Sequence, residues 1–309
     1  MCDCSVVVPV YNSEHTLEAL HQRLCSVFED TLRRSFELIL VDDSSKDNSW
    51  KVMCALHERD KRVHIVQFAR NFGQPAAILC GMARAKGELV ITMDDDLQHR
   101  PEELPKMIAV LDQQSDVDVV LATYMNRQHN SFRRLGTRVA KWATSHMMGS
   151  PADLDMTSFR VMRRFVVEAV LAENVYHPQI GNLILQVSGR IVNVPVQHDA
   201  RAYGRSGYSY RRLIKDLVFD VTTHSAFPMV LTRNIGLMGV LLDIVLGLIF
   251  FIRYLMHGNT VEGWTSLMLI MLLGFSLILI SLGVMGMYLL NILNQAKTIP
   301  AYVVRQESE

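Results

Sequence analysis

Hydrophobic and polar positions alternate along the first 125 residues in a rhythm that predicts strands separated by helices. Ser5–Val10 is a short, almost purely apolar run and reads as a buried strand. Thr16–Leu32 carries Leu17, Leu20, Leu24, Val27 and Phe28 at helical spacing. The same alternation predicts strands at Phe36–Val41, His64–Phe68, Glu88–Met93 and Val117–Ala122, with helices at Asn48–Arg59, Gln74–Ala85 and Pro101–Gln113. Continuous apolar strands joined by helices indicate an α/β domain with a mostly parallel sheet covered on both faces.

Such sheets bind ligands at the carboxyl ends of their strands. Here Tyr11-Asn12, Asp42-Asp43 and Asp94-Asp95-Asp96 each follow a predicted strand directly, so three polar clusters are expected along one edge.

Beyond residue 225 the pattern changes. Residues 234–256 are nearly all apolar, Asp243 being the one acidic position, and residues 264–290 contain no charge. A helix needs roughly 20 apolar residues to cross a bilayer, so the two segments predict a transmembrane hairpin with Arg253–Gly263 holding its link. Basic residues precede it (Arg211, Arg212, Lys215, Arg233) and follow it (Lys297, Arg305), which places both termini and the catalytic domain in the cytoplasm. The expected division is a catalytic domain at 1–207, a juxtamembrane interfacial region at 208–229, two membrane helices within 230–294, and a C-terminal tail at 295–309. Plain packing on the catalytic domain is an equal reading of 208–229. An acidic residue in lipid is costly, so Asp243 is a functional or subunit-pairing candidate.

Composition narrows the classes. Lysine plus arginine equals aspartate plus glutamate, 31 each, so no net field points to nucleic acid. The five cysteines lack zinc-finger spacing and read as reduced thiols. Gly73 and Gly81 do not form the glycine fingerprint of a dinucleotide oxidoreductase.

The acidic run carries the candidate chemistry. A nucleotide diphosphate sugar brings two phosphates whose charge must be offset before the sugar bond breaks. Mg²⁺ or Mn²⁺ does this and prefers oxygen ligands. Asp-x-Asp at a strand end supplies two carboxylates, and Gln98 adds an amide oxygen. A solvated acidic turn is the alternative for a bare triplet; the preceding strand and the following Leu97-Gln98 argue against it. A phosphate acceptor, largely dianionic at neutral pH, needs no protein base, and basic residues such as Arg201 and Arg205 suit it.

The motifs Val7-Val-Pro-Val-Tyr-Asn12, Val41-Asp-Asp-Ser-Ser-Lys-Asp47, Arg70-Asn-Phe-Gly-Gln74, Asp94-Asp-Asp-Leu-Gln98 and Arg201–Tyr208 resemble the polyprenyl-phosphate glycosyltransferases of glycosyltransferase family 2. The likeness spans nearly the whole chain, including the tail after Tyr302. It implies a GT-A fold and an inverting transfer from a nucleotide sugar, expected to be UDP-linked, to undecaprenyl phosphate at the inner membrane, for cell-envelope modification. It further implies that Pro9, Tyr11, Val41, Asp43, Asp94, Asp95 and Arg127 bind the nucleotide sugar. Asp94, Asp96 and Asp155 would serve catalysis, Asp94, Asp96 and Gln98 would hold the metal, and Arg201 and Arg205 would meet phosphate. Relatives suggest a homo-oligomer, a tetramer among them.

Three positions depart from the family: Ser13 replaces a Glu, Tyr124 an Arg, and Gly207 stands where a basic motif has Lys. A processive polysaccharide synthase would need downstream motifs and further membrane helices that this sequence lacks. A non-catalytic membrane scaffold retaining the fold is the rival from another class.

Overall fold

The computed structural model describes residues 2–124, 154–173, 179–197, 263–296 and 300–308, with isolated positions between 234 and 256. Two compact units are distinguished. The first comprises residues 1–138, 151–207 and 298–309; the second comprises 139–150 and 208–297.

The first unit is built on eight strands: β1 Cys4–Val10, β2 Phe36–Asp42, β3 Val63–Phe68, β4 Leu89–Thr92, β5 Val119–Tyr124, β6 Arg160–Arg163, β7 Ile191–Val196 and β8 Val304–Glu307. Their order across the sheet is β7-β5-β6-β4-β1-β2-β3-β8. Parallel pairs join β1 to β2 and β4, β2 to β3, and β5 to β7. Strand β6 runs antiparallel between β4 and β5, and β8 runs antiparallel along β3. The sheet is therefore mostly parallel, as the alternating pattern predicts.

Period-two alternation sorts each strand onto two cores. Val6, Val8, Val10, Leu38 and Leu40 face one side, where α1 (Leu17–Ser26), α2 (Ser49–Arg59) and α4 (Leu104–Gln113) bring Leu20, Leu24, Met53, Leu56, Met107 and Leu111. Val7, Ile39, Val41 and Val90 face the other, where α3 (Gln74–Met82), α5 (Arg164–Ala172) and α6 (Ile180–Val187) bring Ala77, Ile78, Val166, Val170 and Ile184. Helix α3 approaches β1 so closely that a Cβ on Gly81 would lie 2.2 Å from Val7 Cγ1. Its small residues are the reason it fits there.

Several details differ from the sequence reading. The helix expected over Thr16–Leu32 is α1 followed by a π-helical turn at Val27–Leu32. Pro101–Glu103 forms a 3₁₀ turn ahead of α4. Strand β8 lies in a segment expected to be only a tail. Its residues pair with β3, Tyr302 stacks on Phe68 at 5.2 Å between centroids, and Glu307 meets Arg84 at 2.5 Å. The five cysteines are free thiols.

In the second unit, α7 (Trp264–Ala296) is 33 residues long and uncharged. Counting described residues only, no helix is long and apolar enough to cross a membrane. The interfacial segment 208–229 and Asp243 lie outside the described residues.

Candidate active site

The carboxyl ends of β1, β2 and β4 carry the three polar clusters that follow those strands. Just beyond each end the chain turns through one left-handed residue: Asn12 at φ 55°, Ser44 at φ 61° and Leu97 at φ 62°. Non-glycine residues visit that region at a cost of about 1–3 kcal/mol each. Three such turns along one edge mark where the fold stores strain, and such strain clusters at functional sites.

The clusters are tied to one another. Asp95 Oδ2 accepts the Tyr11 N–H at 3.1 Å and the Ser13 hydroxyl at 2.5 Å. The Asn12 N–H donates to Ser45 Oγ, and Asn12 Oδ1 accepts the Lys46 N–H. Glu14 accepts from both the backbone and the side chain of Asn48. Ser13, a departure from the family pattern, therefore has its own task in holding the β1 loop to the acidic run. Burial pushes the Asp95 carboxyl up to about 6, against the hydrogen bonds from Ser13 and Tyr11.

Asp43 is buried, and its carboxylate accepts the N–H groups of Phe72 at 2.6 Å and Gly73 at 2.9 Å. Gly73, at φ 94°, occupies a conformation open to glycine. Asp43 thus moulds the Arg70–Gln74 loop beside the strand end. Burial raises its pKa despite those two bonds. Pro9 is buried opposite Val41 in the β1–β2 register, while the Tyr11 ring is 45% exposed and open to a ligand.

Asp94 is held by Gln74, which closes the Arg70–Gln74 motif, and by Ser158 and His99, to which sequence reasoning gave no role. Its Oδ1 accepts Gln74 Nε2 at 2.6 Å and its Oδ2 accepts Ser158 Oγ at 3.0 Å. Its backbone N–H donates to Nδ1 of His99, a buried ring stacked 5.0 Å from Phe159 and 6.2 Å from Tyr124. Tyr124, the second departure, enters that aromatic stack. Asp96 Oδ1 accepts the Gln98 N–H at 3.1 Å.

Asp155 accepts the Thr123 hydroxyl at 2.6 Å, and its backbone exchanges bonds with the Asn193 side chain. It is thereby fixed to the carboxyl end of β5 and the middle of β7. Asn193 and Thr123 come from strands far apart in sequence, so no local motif could reveal them. Arg127, Arg201, Arg205 and Gly207 lie outside the described residues.

Whether a hard cation fits can be judged from the donor set. Asp94, Asp96 and Gln98 offer oxygen only, which suits Mg²⁺ or Mn²⁺. Among the described residues, the carboxylates of Asp94–Asp96 do not converge as a cage of three. Mg²⁺ sites with one or two protein carboxylates, completed by phosphate and water, have this form. The residues fit such a site.

Comparison with known proteins agrees with the geometry. Residues 5–171 match the model of glycosyl transferase family 2. The chain is 31% identical to an undecaprenyl-phosphate 4-deoxy-4-formamido-L-arabinose transferase of Klebsiella pneumoniae, covering 98% of this chain and 92% of the relative. It is also 31% identical to the uncharacterized glycosyltransferase YkcC of Bacillus subtilis, over 98% of this chain and 93% of that one. Among solved structures, glucosyl-3-phosphoglycerate synthase of Mycobacterium tuberculosis with Mn²⁺ and UDP-glucose superposes at TM-score 0.51 and 17% identity, over 72% of this chain and 77% of that one. The same enzyme with Mg²⁺ and UDP gives 0.50. That likeness shows a shared GT-A-like fold. By its strand-end site and its likeness along the whole length, the chain belongs to glycosyl transferase family 2 and is a glycosyltransferase.

Proposed function

We propose that the protein transfers a sugar from a UDP-linked donor to undecaprenyl phosphate at the cytoplasmic face of the inner membrane, inverting the anomeric centre, for cell-envelope modification. The observation that carries this reading is the lacing of the Tyr11, Asp43 and Asp94–Asp96 strand ends into one edge, in a chain similar end to end to undecaprenyl-phosphate transferases. Tyr11 would face the base, and the Asp43-moulded loop would bound the nucleotide. Asp96 and Gln98, with Asp94 behind them, would hold Mg²⁺ or Mn²⁺. A hard divalent cation bound there would offset the charge on the leaving diphosphate. Asp155, fixed by Thr123 and Asn193, would orient the sugar. Arg127, Arg201 and Arg205 are assigned to phosphate by family likeness. A phosphate acceptor attacks as a dianion, so no side chain need remove a proton.

Membrane attachment has independent support. Leu267, Met271, Phe275, Ile278, Leu282, Met285 and Leu289 are exposed along α7, and Met238, Leu241, Val245, Leu248 and Ile252 are exposed ahead of it. Water does not tolerate so long an apolar surface, whereas lipid does. The chain leaves the catalytic unit at residue 207 and re-enters it at 298. Any crossing must then occur an even number of times, which fits a hairpin.

The test is direct. Purified protein is incubated with undecaprenyl phosphate, Mg²⁺ or Mn²⁺ and a panel of nucleotide sugars, and the lipid fraction is weighed by mass spectrometry. A single added sugar is the expected product. A growing polymer would favour a processive synthase, and no lipid-linked sugar from any donor would leave the scaffold reading.

A further inference from the structure

Arg160 opens β6, at the register position of Thr92 on β4, two residues before Asp94. It is 7% exposed, and its Nε donates to the Thr157 carbonyl. Its Nη1 is buried and, among the described residues, has no hydrogen-bond partner. Burial lowers its pKa to about 10, with the Asp94 charge opposing, so it stays cationic at neutral pH. A buried, half-satisfied guanidinium is expensive, by several kcal/mol in general terms. Structures keep such a group where an anion completes it.

A second feature lies beside it. Helix α6 begins at Ile180, and its N-cap, Gln179, makes no side-chain capping bond. A Cβ on Gly181 would lie 3.9 Å from Arg160 Nη2 and 3.2 Å from Met156 Cε. The first turn of α6 therefore stands against the guanidinium. A helix amino terminus is itself partially positive and binds phosphate through backbone N–H groups. Two positive features thus adjoin, and the negative side chain acting on Arg160 among the described residues is Asp94, on the donor side. Met156, unbranched and adaptable, is the residue that would move aside for a ligand.

The sheet order says which anion belongs there. The Tyr11 and Asp43 loops lie on the β1 and β2 side of Asp94, whereas β6 lies on the other. A donor whose nucleotide lies toward β1 and whose diphosphate meets Asp94–Asp96 puts its transferred end on the β6 side. We propose that Arg160 and the amino end of α6 form an oxyanion subsite for the monophosphate of the acceptor. This rests on the proposed function above for the identity of the acceptor, and on the buried guanidinium and the uncapped start of α6 for its anionic character.

The experiment uses full-length protein in detergent and three probes: a short prenyl monophosphate, the matching prenol, and UDP with Mn²⁺. Wild-type protein is expected to bind the prenyl phosphate and ignore the prenol. Arg160→Gln should weaken the prenyl phosphate by about 10-fold or more, the range of a lost charge-assisted bond, and leave UDP affinity unchanged. Arg160→Lys should recover part of the loss. Gly181→Ala keeps the charge but narrows the space, and should weaken the prenyl phosphate alone; with Arg160→Lys it decides the matter should the Gln variant not fold. Unchanged prenyl phosphate affinity in these variants overturns the subsite. Loss of UDP affinity with prenyl phosphate binding intact also overturns it, assigning Arg160 to the donor diphosphate. Prenyl phosphate binding that depends on Arg160, in a protein that turns over no nucleotide sugar, would support the subsite while defeating the transferase reading.

Discussion

At the residue scale, each carboxylate of the acidic run has a distinct setting. Asp94 is wrapped by Gln74, Ser158 and His99, Asp95 is turned toward the β1 loop, and Asp96 sits by the Gln98 turn. On the proposed mechanism Asp96→Ala should abolish turnover in the lipid-product assay; full activity in that variant would remove Asp96 from the metal site. Asp95 permits a pH prediction. Its folded pKa, about 6, is above the ordinary value of 3.8. The protonated form is thus favoured by folding, and the stability it contributes is complete below the ordinary value and lost as pH rises through about 6. Metal-free wild-type protein should lose stability between about pH 4 and 6 from this group. Asp95→Asn, followed by tryptophan fluorescence on heating, should flatten that part of the profile; an unaltered slope would contradict the assignment. Asp60 has the opposite sign. Arg62 grips it through both oxygens, with His21 at 3.0 Å, and holds its carboxyl well below the usual range. Its contribution is present above the ordinary value and is lost in acid.

At the element scale, two contacts decide how well the sheet is assembled. Gly81 on α3 leaves no room for a side chain over Val7, so Gly81→Ala must push helix or strand apart. Overpacking of this kind costs about 1–3 kcal/mol, which chemical denaturation would read; a neutral result would mean that α3 is free to shift. Strand β8 is the second. Tyr302 stacks on Phe68, which meets Phe72 edge-on at 5.6 Å, and the Phe72 N–H donates to Asp43. The tail therefore supports the loop that Asp43 moulds. Tyr302→Ala should cost about 1 kcal/mol from the ring pair and weaken UDP binding, whereas Tyr302→Phe should retain most of both. Equal UDP affinity in the Ala variant would show the tail to be independent of the loop.

At the scale of the whole molecule, the chain departs from the catalytic unit and returns to it, and the returning segment is a strand of the sheet. On the proposed hairpin, the Arg253–Gly263 link lies across the bilayer from that strand. A cysteine at position 258, in an otherwise cysteine-free protein, should be labelled by an impermeant thiol reagent from the periplasmic side only, and one at 308 from the cytoplasmic side only. Labelling of both from one side would exclude the hairpin.

Sequence by itself determined the alternating α/β class, the first five strands to within two residues at each end, and the three polar strand ends. These follow from local periodicity, and periodicity is written residue by residue. The apolar C-terminal character was equally legible. Tertiary structure alone decided what completes the site. Ser158, His99, Gln74, Thr123 and Asn193 reach the carboxylates from separate loops and strands, and β8 joins an edge more than 230 residues away along the chain. The same holds for Arg160, which in sequence is one basic residue among 31. Only the fold buries it within the field of Asp94 and against the first turn of α6, and burial and neighbours, rather than residue type, set the energy of an ion.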